Sequence, residues 1–120
     1  MRRAIALAFA LGLAAPAAHA LEARTDELMW MCEGRASGNE VENFGKQAQC
    51  IGFIDGIVDA NAMMKGFLGV QLFCPPPGGI SLDQAMRIFL KWANDHPEEL
   101  RESARISVTL SLVQAFPCAR

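Results

Sequence analysis

The longest apolar stretch of the chain begins at Cys50 and runs to Leu72 with the spacing of a helix. Its isoleucines and valine fall largely on one side of that helix, while Gly52, Gly56 and Ala60 recur every fourth residue as a smooth ridge. Small residues in that arrangement allow a second helix to lie very close. The pattern therefore predicts the central helix of a small bundle.

Two helices are predicted in the first half of the chain. The first covers Thr25–Cys32, with Thr25 as its cap and acidic residues in its first turn. Its methionines and tryptophan are candidates for a dimer contact. The second starts around Glu40 or Val41, after Asn39, and includes the central stretch. Because each glycine costs a helix about 1 kcal/mol relative to alanine, we expect a kink or fraying near Lys65-Gly66.

The sequence of the second half of the chain predicts two further helices. Ser81 and Gln84 form a capping box, and apolar residues then recur at helical spacing as far as Ala93. Between Glu98 and Phe116 the apolar residues fit a half-buried strand and a helix equally well. The length of the segment, without glycine or internal proline, favours a helix over 98–116. The chain is thus predicted to be all-α, a four-helix bundle.

A proline-rich connection separates the two halves. Three prolines fix extended backbone and two glycines permit a turn, so this segment is not helical. Loops on rigid scaffolds often carry function, and we take this loop as the candidate partner-binding element, although a mere connection braced by Cys74 fits the sequence equally well. Its residues are Pro75, Pro76, Pro77, Gly78 and Gly79.

The amino-terminal residues have the pattern of a secretory signal peptide. Arg2 and Arg3 precede an uncharged run, and Ala18-His19-Ala20 is an A-x-A cleavage site. The run is too short for a permanent membrane anchor. We expect residues 1–20 to be removed, leaving residues 21–120 as a single domain in the periplasm.

Charge argues against a nucleic-acid partner. Without Arg2 and Arg3, nine of the 11 basic residues remain against 13 acidic ones, a net charge of −4. Nucleic-acid binding usually requires a concentrated basic patch, and this sequence has none. We also expect no cofactor, and no membrane contact after cleavage.

The four cysteines, Cys32, Cys50, Cys74 and Cys118, all follow the signal peptide and would meet an oxidising compartment. There is no C-x-x-C pair and only one histidine after cleavage, so a structural zinc site is not expected. Cys50 and Cys74 lie near opposite ends of the second helix, up to about 30 Å apart, which excludes a bond between them. Of the two connectivities left, an antiparallel bundle favours Cys32–Cys50 with Cys74–Cys118.

Candidate catalytic groups have simpler structural explanations. Asp55 and Asp59 share a helix face and could act as a paired acid and base, but exposed helix carboxylates are more common. His96 with Glu99 is the only other hydrolytic or metal-like pair, and before Pro97 it fits the start of a helix. We therefore do not expect an enzyme.

Several short motifs together resemble one known family. They are Cys50-x-Gly-Phe-x-x-Gly-x-x-Asp59, Phe73-Cys-Pro with Gly-Ile-Ser-x-x-Gln84, His96-Pro-Glu98, and the segment closing on Phe116-Pro-Cys118. In this order and spacing they are similar to the Rap/Tai immunity proteins of the type VI secretion system. The motif residues Gly52, Gly56, Asp59, His96 and Pro97 are then expected to be structural.

The resemblance implies a small helical, disulfide-bonded periplasmic protein, often a homodimer. Its expected function is to bind and block a peptidoglycan amidase effector delivered by neighbouring cells. Two other classes fit the sequence. One is an acid-stress chaperone, whose carboxylates would titrate and release apolar surface at low pH. The other is a structural protein of the envelope.

Overall fold

A computed structural model of the chain describes residues 23–34 and 39–119, which fold into four α-helices. The predicted signal peptide lies outside the described residues, as does part of the first interhelical loop. No strand occurs in the described ranges beyond an isolated bridge between Arg24 and Ser103, so the all-α prediction is confirmed. The helices are α1 Thr25–Cys32, α2 Glu40–Leu68, α3 Leu82–Asp95 and α4 Ala104–Ala115, with a 3₁₀ helix Pro97–Glu99 before α4.

The core lies where α1, α3 and α4 pack against one side of α2. Phe73, Phe89, Leu28, Ile54 and Leu112 are fully buried there. The predicted amphipathic helix is present as α3, and the Ser81 side chain caps it by accepting a hydrogen bond from the backbone N–H of Gln84 at 3.1 Å.

Residues 98–116 do not form one continuous helix, so that prediction was wrong. The chain makes a 3₁₀ turn after Pro97 and only re-enters a helix at Ala104. The reason is the docking of α1: the carbonyl groups of Leu100 and Glu102 accept hydrogen bonds from the backbone N–H groups of Asp26 and Thr25 at 3.0 and 2.9 Å. Those carbonyls are available only because residues 100–103 are not helical.

Thr25 was also wrongly predicted as the cap of α1. The cap is Arg24, and Thr25 is a fully buried residue of the first turn. Its hydroxyl donates to the carbonyl of Glu102 at 3.0 Å and lies 2.6 Å from the hydroxyl of Ser107. This contact joins the start of α1 to the start of α4.

Helix α2 begins where predicted, at Glu40, and the Asn39 side chain caps it by accepting from the N–H of Val41 at 3.0 Å. It continues as helix through Lys65-Gly66 to Leu68, so the expected fraying does not end the helix at that pair. It ends at Gly69, whose left-handed backbone (φ 70°) closes the helix with a hydrogen bond to the carbonyl of Lys65.

The glycine ridge of α2 does not receive a second helix from this chain, contrary to the prediction. A Cβ placed on Gly52 or Gly56 would meet no atom within 4 Å in the described structure. The opposite side of α2 packs instead, through Cys50, Ile54 and Asn61. No helix in the described ranges has the length and apolar character needed to cross a membrane.

Both predicted disulfides are present, Cys32–Cys50 and Cys74–Cys118. The first joins the end of α1 to the middle of α2. The second joins the connection after α2 to the segment after α4. The second disulfide fixes one end of the proline-rich loop.

Candidate functional site

The loop between α2 and α3 has an exposed tip. Pro76, Pro77, Gly78 and Gly79 are exposed, whereas Pro75 and Ile80 on either side are half-buried. The backbone N–H of Gly79 donates to the carbonyl of Pro76 at 2.9 Å and closes a turn. Gly78 and Gly79 have φ angles of 95° and 77°, a region that residues with a side chain rarely adopt. The tip therefore has a defined shape as well as exposure.

Asn61 holds the segment that leads into this loop. Its side chain is buried on α2, and its Oδ1 accepts hydrogen bonds from the N–H groups of Leu72 at 2.7 Å and Phe73 at 3.3 Å. Its Nδ2 donates to the carbonyl of Phe73 at 2.9 Å. Phe73 itself is fully buried in the core. The residue before Cys74 is thus fixed through both its backbone and its side chain.

Cys74 is held to the end of the chain. It forms the disulfide with Cys118, and its backbone N–H donates to the carbonyl of Phe116 at 2.8 Å. On the other side of the loop, Ser81 caps α3. Because both ends are anchored, little conformational entropy remains for the loop to lose on binding.

The motif residues Gly52, Gly56 and Asp59 lie on the exposed side of α2 and not in the core. Several bulky apolar side chains share that exposed side, including Phe44 at 75 % and Phe67 at 81 % exposure. On α1, Trp30 is 41 % exposed and the Lys46 ammonium lies 5.0 Å from the centre of its ring. Met29 and Met31 pack against the core, so of the residues expected at a dimer contact only Trp30 is exposed.

His96 and Pro97 stand at the turn after α3. The imidazole of His96 stacks on Trp92 with ring centres 4.3 Å apart, and its Nδ1 lies 2.7 Å from the Trp92 carbonyl oxygen. Pro97 opens the 3₁₀ helix. His96 thus lies at the end of α3, as its C-cap.

A cleft of about 350 Å³ opens beside this stack, between α3 and α4. Lys91 and Asp95 border it, with the Lys91 ammonium 2.5 Å from the Asp95 carboxylate. This hydrogen bond, together with the positive charge of Lys91, holds the pKa of Asp95 below its usual 3.8. Lys91 and Asp95 thus pair their charges at the border of the cleft, and His96 also lines it.

Within the described ranges, no group of three or more histidine, cysteine, aspartate or glutamate side chains is placed to hold a metal ion. All four cysteines are in disulfides. Among the described residues, the prominent exposed features are the braced loop and the outer side of α2.

A comparison with protein families matches residues 24–118 to the family model of the Rap1a immunity proteins. The chain belongs to that family. The match covers all four helices and both disulfides. No curated protein matches the chain at a significant level.

Membership in the Rap1a family implies a protein that binds a secreted effector and confers immunity to it. The family is one of immunity proteins and not of enzymes. The resemblance found in the sequence is thus confirmed at the level of the family.

Sequence reasoning missed two features of the site. Asn61 was not recognised as the residue that holds the loop, although an amide within an apolar helical run is a signal for a buried polar contact. The cleft beside Trp92 was also missed. Its walls come from two helices, α3 and α4, and the local sequence pattern of each helix does not show how the two pack against each other.

Proposed function

We propose that the protein is a periplasmic immunity protein that binds a peptidoglycan amidase effector of the type VI secretion system and occludes its active-site cleft. The Rap1a family match carries the immunity function. The signal-peptide pattern of residues 1–20 and the two disulfides support action in the periplasm.

The proposed inhibitory element is the tip of the proline-rich loop, Pro75 to Gly79. It is uncharged and anchored at both ends, and its residues Pro76 to Gly79 are exposed. A rigid protruding segment binds a concave surface without a large ordering penalty, because its conformation is already set. Inhibition then results from physical blockage of the cleft, and no chemical step by this chain is needed.

The proposal includes a homodimer, as the family resemblance implies. A second copy seated on α1 at Trp30, the exposed member of the expected dimer contact, would not have to cover the loop, because the two involve different residues. The effector and the second copy therefore use separate surfaces.

The proposal is tested by co-producing the chain with a candidate amidase directed to the periplasm, and by scoring lysis. We expect the full chain to rescue the cells, and a version lacking residues 2–20 to fail because it stays in the cytoplasm. Rescue by the leaderless version would contradict the periplasmic site of action. Failure of the full chain against every amidase encoded beside such immunity genes would contradict the amidase target.

A further inference from the structure

The two disulfides differ in their exposure to solvent. Cys32 and Cys50 are 3 % and 0 % exposed and belong to the core. Cys74 and Cys118 are half-buried, and the chain on either side of Cys118 is exposed. Thiol–disulfide exchange begins when a thiolate reaches one sulfur of the bond, so its rate depends on access. Of the two disulfides, Cys74–Cys118 is the one that offers such access in the folded protein.

Gln71 lies next to both sulfur atoms of this exposed bond. Its side-chain Nε2 donates a hydrogen bond to the Sγ of Cys74, and its backbone carbonyl oxygen lies 4.0 Å from the Sγ of Cys118. The two contacts differ in their effect, because an N–H group stabilises negative charge on a sulfur and a carbonyl oxygen opposes it. Cys74 is therefore the sulfur better placed to hold a negative charge.

The polypeptide on both sides of the bond carries no formal charge. No charged residue occurs from Gly66 to Leu82 or from Ile106 to Ala119 in the sequence. A positively charged neighbour is a common means of stabilising a thiolate, and these segments supply none. Stabilisation of a departing thiolate by these segments thus falls to neutral donors such as the Gln71 amide. The same absence of negative charge means that these segments do not repel an incoming thiolate.

We propose that Cys74–Cys118 is a site of thiol–disulfide exchange, at which an external thiolate attacks the Sγ of Cys118 and Cys74 departs as a thiolate. A sulfur–sulfur bond forms between the external thiol and Cys118, and the electron pair of the broken bond passes to Cys74. A second external thiolate then attacks the external sulfur of this mixed disulfide and releases Cys118. Two external thiols are oxidised to one disulfide, and both cysteines are reduced and take up protons from water.

Exchange at this site removes the covalent anchor of the proline-rich loop. Once the bond is cut, the Cys74 N–H still donates to the Phe116 carbonyl at 2.8 Å, and Asn61 still holds Phe73. The helical domain therefore persists, while the loop gains conformational freedom and pays a larger ordering cost on binding. This consequence rests on the proposed function, because it takes the loop as the binding element. The exchange itself does not.

The reduction rates of the two disulfides test the site. The oxidised protein without its signal peptide is incubated with reduced glutathione, samples are quenched with an alkylating reagent, and the labelled cysteines are assigned by mass spectrometry of peptides. We expect Cys74–Cys118 to be cleaved about tenfold or more faster than Cys32–Cys50, while the helical circular dichroism persists. Equal rates, or no cleavage of Cys74–Cys118 in the folded protein, would overturn the proposal.

A thiolate on a small molecule and one on a protein have the same chemistry, and a second arm separates the two. Val70 and Leu72, on either side of Gln71, are 53 % and 51 % exposed, so a protein thiol contacts them on its way to the sulfur. The second arm uses reduced thioredoxin on the chain and on its Leu72→Ser variant. Cleavage slowed several-fold by Leu72→Ser with thioredoxin alone supports exchange with a protein thiol. Equal slowing or none in both arms supports exchange with a small thiol.

Substitutions of Gln71 test its part in the exchange. Leucine cannot donate to the sulfur, and glutamate places a negative charge beside the departing thiolate. We expect glutathione to cleave Cys74–Cys118 about three- to tenfold more slowly in Gln71→Leu and more slowly still in Gln71→Glu, with the rate at Cys32–Cys50 unchanged. Gln84→Leu makes the same apolar change at an exposed position on α3 and should leave both rates unchanged.

Unchanged cleavage in both Gln71 variants would overturn the role of the amide. Glutathione found on Cys74 and not on Cys118 in the trapped mixed disulfide would overturn the direction of attack. No effector is present in these measurements, so their outcome is separate from that of the immunity test. If exchange fails while the protein still rescues cells from an amidase, the exchange site is refuted and the proposed function stands.

Discussion

The side-chain amide of Asn61 bonds both backbone polar groups of Phe73: its Nδ2 donates to the Phe73 carbonyl at 2.9 Å, and its Oδ1 accepts from the Phe73 N–H at 3.3 Å. The amide is buried, and the phenyl ring it positions is at the centre of the core. One side chain on α2 thus sets where the loop toward Pro75 leaves the domain. The interior of the bundle and the exposed loop are structurally coupled through this residue.

Replacing Asn61 with alanine should lower the free energy of unfolding by about 2–4 kcal/mol, because the backbone groups of Leu72 and Phe73 lose their buried partners. Urea denaturation measures this. Asn94→Ala is the matched control: Asn94 is exposed and its amide bonds only the Leu90 carbonyl, so the change should stay within about 0.5 kcal/mol. Equal effects of the two substitutions would show that Asn61 does not hold the loop.

Thr25→Val keeps the shape of the side chain and removes its hydroxyl. The carbonyl of Glu102 and the buried hydroxyl of Ser107 each lose a partner, so we expect a loss of about 1–3 kcal/mol. Thr109→Val is the control, since that hydroxyl bonds only the Arg105 carbonyl of its own helix. Thermal unfolding of the two variants compares them directly. A loss for Thr109→Val as large as that for Thr25→Val would contradict the docking role of Thr25.

The two disulfides should differ in how much each adds to the free energy of unfolding. They span 44 residues for Cys74–Cys118 and 18 for Cys32–Cys50. Loop entropy in the unfolded chain gives about 4 and about 3 kcal/mol respectively, as upper values. We expect the paired serine variant of Cys74 and Cys118 to be the less stable of the two in urea. The opposite order would mean that strain or residual structure outweighs loop entropy.

The Lys91–Asp95 pair gives a prediction for pH. The pKa of Asp95 is lower in the folded protein than in the unfolded chain, so the pair stabilises the fold above pH 3.8. That stabilisation is lost as the pH falls through the lower, folded value. Because Asp95 is exposed, the effect on stability is small, and the direct readout is NMR titration of its carboxyl carbon.

Lys91→Met should raise the pKa of Asp95 toward 3.8, since both the hydrogen bond and the charge are removed. Arg87→Met, one turn earlier on α3, serves as the control because Arg87 pairs with Asp83 at 2.7 Å. If Arg87→Met shifted the pKa of Asp95 as much as Lys91→Met, the pair would not be the cause.

Local patterns were sufficient to predict the helices whose ends carry local signals. Ser81 and Gln84 marked the start of α3, and Asn39 marked the start of α2, because a cap is made by residues adjacent in the sequence. The disulfides also followed, since their pairing depends only on helix length and direction. The family could be recognised because its motifs occur in order along the chain.

Contacts between distant residues could not be predicted in this way. The segment before α4 is not helical because the backbone N–H groups of Thr25 and Asp26, distant in the sequence, donate hydrogen bonds to its carbonyl groups. No residue within 100–103 indicates that contact in the sequence. The small residues of α2 predicted the close approach of a second helix, which the described structure does not show, because such a pattern permits a contact without specifying one. The role of Asn61 could not be predicted either, because it depends on where residues 69–74 run in the folded structure.

The central claim is that this protein blocks a wall amidase with the loop at Pro75–Gly79. It is tested most directly by titrating the purified, oxidised protein into a peptidoglycan-cleavage assay with the amidase encoded beside its gene. We predict complete inhibition at one chain per enzyme, and its loss when Pro76–Gly79 is replaced by a serine-glycine segment of equal length in a variant that keeps its helical circular dichroism. Full inhibition by that loop variant, or continued cleavage with the intact protein in excess, would contradict the account.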